Sequence, residues 1–186
     1  MLHDILSLIW VFLPLAYANM GPVLAHNVPY LKKFKTPLDF GKTFRGKRIF
    51  GDHKTIRGIV AGMVMGLVTS GIQMLLVQQF SWLSDYNLGV VDYSSPDTLF
   101  MGLILGFGAV AGDALKSFFK RQLNIEPGKS WVPFDQIDFF VGGVLASLLF
   151  FTLPARLYFI GFFIALVLHP TVNFLSWLLR FQEKPY

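Results

Sequence analysis

The chain contains no cysteine, so disulfides, thiolate metal sites and cysteine nucleophiles are excluded. Charge is scarce as well: only 15% of the 186 residues are Asp, Glu, Lys or Arg, against 54% hydrophobic residues with 20 Phe among them. A soluble domain of this size would turn much of that apolar surface to water, whereas a membrane protein turns it to lipid. The mean hydropathy of +0.55 agrees with the second case. No basic stretch precedes the first apolar run, which starts near Ile5, so a retained helix is expected there rather than a cleaved signal peptide. One connection, Ser81 to Asp97, holds Asp85, Asp92 and Asp97 and no basic residue at all. The four histidines, His3, His26, His53 and His169, lack the spacing of metal ligands.

What the chain does have is a series of apolar segments near the ~20 residues a membrane crossing needs. They run from Ile5 to Ala25, about Gly58 to Phe80, about Thr98 to Phe119, Ile137 to Leu153, and Leu157 to Leu179. The expected fold is therefore all-α: a single polytopic membrane domain over 1–186 with about five transmembrane helices. Pro154, Ala155 and Arg156 leave room only for a tight turn between the last two. Pro14, Asn19 and Pro22 interrupt the first of these segments; Asn19 with Pro22 is expected to break the helix and free backbone there, or to leave a plain kink.

Fifteen of the sixteen basic residues fall on one side of these spans, and Arg156 alone on the other. The positive-inside rule then places the N-terminus outside and the C-terminus in the cytoplasm, with both basic segments, 31–57 and 116–136, forming a cytoplasmic face. Trp82, Tyr86, Tyr93, Tyr158 and Trp177 lie near span ends, as interfacial aromatics do. The net charge of +5 is gathered in short stretches between apolar runs. That pattern suits a membrane surface and a small anionic substrate better than nucleic acid.

The first basic segment repeats itself twelve residues apart: Lys42-Thr43-Phe44-Arg45-Gly46, then Lys54-Thr55-Ile56-Arg57-Gly58. Ammonium, hydroxyl, guanidinium and a backbone amide made accessible by glycine are the groups that bind phosphate oxygens. The blander reading is a basic loop against anionic lipid. Gly41-Lys42-Thr43 resembles the end of a P-loop, but Thr36 stands where that motif needs Gly and no strand precedes it.

The third span ends in a polar stripe. Asp113, Lys116, Ser117, Lys120 and Arg121 fall at i, i+3, i+4, i+7 and i+8, on one helical face. An ionisable residue inside a span is costly and usually functional, although an internal Asp–Lys pair would also account for it. Asp135 and Asp138, three apart at the start of the fourth span, can face the same way. With Asp113 they offer the hard oxygen ligands that Mg²⁺ takes when it bridges to phosphates.

Gly112-Asp113, Ser117, Lys120-Arg121, Pro127-Gly128 and Asp135-Gln136-Ile137-Asp138 together resemble the C-terminal signature of the CTP:phosphatidate cytidylyltransferases. The short chain, the Pro-Gly-x-x-Trp-x-Pro-x-Asp-Gln-x-Asp-Phe variant and the Lys-Thr-x-Arg-Gly segment are similar to the archaeal branch, the CDP-archaeol synthases. Gln136 replaces the bacterial Arg, and Lys129-Ser130-Trp131 replaces His-Gly-Gly.

The resemblance implies Mg²⁺-dependent transfer of CMP from CTP to 2,3-bis-O-geranylgeranyl-sn-glycerol 1-phosphate at the cytoplasmic side of the cell membrane. Asp113, Lys120, Arg121, Asp135 and Asp138 are the expected catalytic residues, with Asp113, Asp135 and Asp138 on the metal. Lys42, Thr43, Arg45, Gly46, Lys54, Thr55, Arg57, Gly112, Lys116, Ser117 and Asn19 are the expected substrate contacts. Neighbouring readings are an acyl-lipid cytidylyltransferase and a lipid- or ion-conducting protein. A CDP-alcohol phosphotransferase or prenyltransferase would need aspartate-rich motifs that are absent. Nothing in the chain specifies an oligomer.

Overall fold

The structure, a computed structural model, describes residues 1–178. Six helices follow one another: α1 (Leu2–Val11), α2 (Leu13–Asn27), α3 (Ile56–Gln79), α4 (Asp97–Gln122), α5 (Phe134–Ser147) and α6 (Ala155–Leu178). A helix or helix pair stands at each of the five expected segments, in order. Among the described residues, α3 and α4 are long and apolar enough to cross a membrane, and α1 with α2 makes a third if the bent pair is one span. Arg180, Lys184 and the expected end at Leu179 lie outside the described residues, as do the side chains of His169 and Trp177.

Two expectations are corrected. The break in the first segment is at Phe12, where the chain bends by 45° between α1 and α2, and not at Asn19 and Pro22. Phe12 leaves helical geometry at φ −94° and ψ 9°, and Pro14 then sits in the first turn of α2, where its missing N–H costs nothing. Pro22 is carried inside α2, and the Ala18 carbonyl it cannot bond lies against Gly62 of α3.

The fourth segment is helical only to Ser147. Fourteen residues rise about 21 Å, less than the ~30 Å hydrocarbon core. Residues 148–154 are irregular, yet their amides find partners: Leu149 donates to Ala146, Phe150 and Phe151 to Ser147, and Leu153 to the Tyr158 hydroxyl at 2.9 Å.

The core gathers Leu8 and Val11 of α1, Leu15 of α2 and Leu105 and Ala109 of α4, all buried. Phe12 meets Phe140 and Phe151 edge-on. The small residues of α3 and α4 face one another, Gly66 against Gly102 and Gly106, which accounts for their number without a chemical role.

The bundle has two chemically distinct ends. At one, His3 stacks on Tyr86 at 5.0 Å and Phe100 meets Phe150, so the N-terminus, the acidic connection and the 148–154 turn lie together. At the other, Lys47 Nζ donates to the Gln122 carbonyl at 2.6 Å, a favoured place for a cation at the C-terminus of α4. That bond joins the two basic connections. Within the first of them the fold departs from all-α: β1 (Thr43–Phe44) pairs antiparallel with β2 (Lys47–Arg48), and Pro37 bridges to Thr55.

Candidate active site

Close approach of α4 and α5 brings the site carboxylates together. A Cβ on Gly112 would overlap the Asp138 carbonyl oxygen, and one on Gly142 would overlap the Gly108 carbonyl oxygen, so only glycine allows this separation. Asp113 and Asp138 consequently face one another across the helix pair.

Lys116 Nζ sits among three carboxylates, 3.1 Å from Asp113 Oδ1, 3.0 Å from Asp135 Oδ1 and 2.5 Å from Asp138 Oδ2. Lys54, from the first connection, pairs with Asp113 Oδ2. Lys120 Nζ contacts both Asp135 oxygens, at 2.8 and 3.0 Å, and donates to the Lys129 carbonyl at 2.7 Å. Asp135 Oδ2 also accepts from the Trp131 amide, and Asp138 Oδ1 accepts from the Phe139 amide. Three carboxylates thus meet three ammonium groups, two of the carboxylates coming from α5. Among the described residues no group of three acidic or His side chains is placed to hold a metal ion; the Lys116 ammonium lies among the three carboxylates.

Two cavities flank this cluster. One, of about 650 Å³, is lined by all three aspartates together with Asn19, His26 and Arg57. The other, of about 480 Å³, is lined by Arg48, Ser117 and Arg121 and by the backbone around Gly51 and Gly128. His53, Lys54, Lys116, Lys120 and Gly128 line both, so the three lysines form their common wall. Arg57 donates to the Leu31 carbonyl at 2.7 Å and approaches His26 Nδ1 at 3.4 Å. The Nε atoms of Arg57 and Arg121 are buried without a hydrogen-bond partner among the described residues. An unpaired buried donor of this kind is costly and calls for an explanation.

The two copies of the repeat separate. Lys54, Thr55 and Arg57 line the larger cavity, and the Thr55 hydroxyl also caps α3 by accepting from Gly58 N at 3.2 Å. Lys42, Thr43, Arg45 and Gly46 line neither cavity and are exposed on the hairpin. Arg45 and Gly46 both have positive φ, the mark of a tight hairpin turn, and the Arg45 guanidinium lies 5.3 Å from the Phe44 ring centroid. Gly112 lies at the α4–α5 contact rather than on a cavity wall.

Lys129, Ser130, Gln136 and His26 line the site although sequence reasoning passed them over. Asp39 was also missed. It lies outside both cavities, but its carboxylate organises the first connection. The available signal was an acid two residues before Gly41 in a strongly basic stretch, the pattern of a side chain turning back on its own backbone.

Apolar helices around a cluster of aspartate and lysine, open to a basic surface, define a membrane protein with a charged internal site. Comparison with known proteins narrows the class. A family model described as CarS-like, CDP-archaeol synthase, matches residues 1–186. Proteins described as CDP-archaeol synthase include one from Methanospirillum hungatei, 36% identical, with 88% of this chain and 97% of that one covered. Those of Pyrococcus furiosus and Archaeoglobus fulgidus are 31% and 35% identical over the whole of both chains. A solved structure described as an intramembrane enzyme for archaeal membrane lipids biosynthesis superposes with a TM-score of 0.68 at 30% identity, covering 89% of this chain and 91% of that one. The chain belongs to the CDP-archaeol synthase family, the cytidylyltransferases of archaeal lipid biosynthesis.

Proposed function

We propose that the aspartate–lysine cluster is where the family's cytidylyl transfer takes place, with Mg²⁺ as cofactor. A phosphate oxygen of 2,3-bis-O-geranylgeranyl-sn-glycerol 1-phosphate attacks the α-phosphorus of CTP. The new O–Pα bond forms as the bond to the β,γ-pyrophosphate breaks, and the products are the CDP lipid and pyrophosphate. The lipid phosphate is ionised at neutral pH, so no protein base is required.

The observation that carries this reading is the Lys116 ammonium held by carboxylates of two helices between two basic cavities. A point within reach of Asp113, Asp135 and Asp138 is a cation site by its donor set, hard oxygen throughout, and a lysine ammonium stands in for the cation there. The residues therefore fit Mg²⁺, which when bound supplies charge neutralisation at the reacting phosphates. Lys116 and Lys54, turned from the carboxylates toward phosphate oxygens, bind the triphosphate. Arg121 and Ser117 serve the same end from the second cavity, and Arg57, Asn19 and His26 face the lipid phosphate. Catalysis on this account is alignment and charge stabilisation.

The one-sided basic charge supports five spans with the N-terminus outside, the C-terminus in the cytoplasm, and the face formed by 31–57 and 116–136 turned toward cytoplasmic CTP. The test is pyrophosphate release by the purified chain in detergent from labelled CTP and Mg²⁺, with isoprenoid or acyl glycerol phosphate as acceptor. Release with the isoprenoid lipid, abolished by chelation, is expected. No release with either lipid overturns the reading, a preference for the acyl lipid replaces the acceptor, and full activity in chelator removes the metal.

A further inference from the structure

Asp39 has a fully buried side chain in a connection whose other charges mostly face water. Its carboxylate accepts five hydrogen bonds: from the amides of Gly41, Phe50 and Gly51 at 3.0, 2.9 and 3.0 Å, and from Arg48 Nε and NH2 at 3.3 and 2.7 Å. A carboxylate removed from water without such partners is strongly disfavoured, so the group and its donors must be placed together.

The segment beside Asp39 runs antiparallel to the one that carries Lys54. Leu38 N donates to the Lys54 carbonyl at 2.8 Å, Ile56 N donates to the Thr36 carbonyl at 3.1 Å, and Pro37 pairs with Thr55. Residues 50–56 are thereby held at both ends, by the Asp39 carboxylate at Phe50 and Gly51 and by this short ladder at Lys54 and Ile56. Arg48 passes the constraint onward to Asp52 at 2.7 Å. Lys54 has a flexible four-carbon stem, so where its Cα is held decides how much of its time the ammonium spends against Asp113 on α4.

We infer that Asp39 is a positioning residue: it fixes the backbone of 50–54 so that Lys54 stands over Asp113 before any ligand arrives. The inference rests on the proposed function, in which Lys54 binds phosphate.

The test is a double-mutant cycle on the full chain in detergent, reading CTP affinity calorimetrically in Mg²⁺ for wild type, Asp39→Asn, Lys54→Met and the double variant. Asp39→Asn weakens binding by about tenfold when Lys54 is present and by less than about twofold when it is not. Equal losses in the two backgrounds overturn the inference, because a general loss of structure does not depend on Lys54. Asp39→Glu keeps the charge and recovers part of the affinity. Should Asp39→Asn give no cooperative melt, Asp39→Glu in the same two backgrounds decides by the same criterion. A wild type that binds no CTP sinks the proposed function and this inference with it, whereas normal wild-type binding with additive losses sinks the inference alone.

Discussion

Lys116 Nζ lies 2.5 Å from Asp138 Oδ2 and 3.1 Å from Asp113 Oδ1, so a single ammonium joins the carboxylates of α4 and α5. Opposite charges attract by several kcal/mol at such range, roughly 5.5 at about 3 Å and an effective dielectric of 20. A divalent ion arriving alone must displace that ammonium, whereas one arriving with a triphosphate brings new anionic partners for it. Lys116→Gln is therefore expected to tighten Mn²⁺ binding in the absence of nucleotide by about tenfold or more, while lowering turnover. Electron paramagnetic resonance of free Mn²⁺ in detergent reads the first effect. Unchanged or weaker binding would mean that Lys116 does not hold the place of the cation.

Gly112 ties helix packing to the chemistry. Its missing Cβ lets the Asp138 carbonyl close against α4, one residue from Asp113. Gly112→Ala should force the pair apart, lowering stability by about 1–3 kcal/mol. Turnover should fall further than stability does, because the distance between Asp113 and Asp138 changes. Thermal unfolding in detergent and initial rates below the midpoint separate the two effects, and a variant with wild-type rates would show that α4 and α5 need not approach this closely.

The stripe along α4 was legible from spacing alone, since Asp113, Lys116, Ser117 and Lys120 recur with the helical period and the helix is unbroken through them. The bend was not: two prolines and an asparagine lie in the first segment, and which one marks the break depends on packing against α3, where Gly62 accommodates the carbonyl that Pro22 leaves unbonded. Nor did residue type separate the two copies of the repeat. The same Lys-Thr-x-Arg-Gly pattern caps α3 in one copy and turns an exposed hairpin in the other, because the tertiary partners of each differ. Lys116 was expected among the substrate contacts and stands among the aspartates; a long side chain's reach across to a second helix is not written in its own helix.

That separation of the copies makes a comparison. Lys54→Met removes one of the two lysine partners of Asp113, at the wall of both cavities, and should lower kcat/KM for CTP by about 100-fold or more, as loss of a charge-stabilising group does. Lys42→Ala and Arg45→Ala remove exposed, salt-screened charges and should cost less than about threefold at physiological ionic strength. Steady-state rates at two salt concentrations check this. A comparable loss from Arg45→Ala would bring the hairpin into the substrate site.

Asp39 predicts a dependence on pH. Burial raises its carboxyl, but the Arg48 guanidinium and the amides of Gly51, Phe50 and Gly41 more than offset this and hold it well below the ordinary carboxylate range. In the unfolded connection the group returns to a pKa of about 3.9. Because the folded value is the lower one, the ionised form favours the ordered connection. That stabilisation is complete above about pH 5 and is lost as pH falls below about 4 toward the folded value. Hydrogen exchange at the Phe50 and Gly51 amides, corrected for intrinsic rate, should show full protection at pH 5 to 7 that declines as the solution is taken below about pH 4. Asp39→Asn should show weaker protection without that acid decline. Protection in the wild type that holds through the acid range would mean that the connection keeps its order without the Asp39 charge.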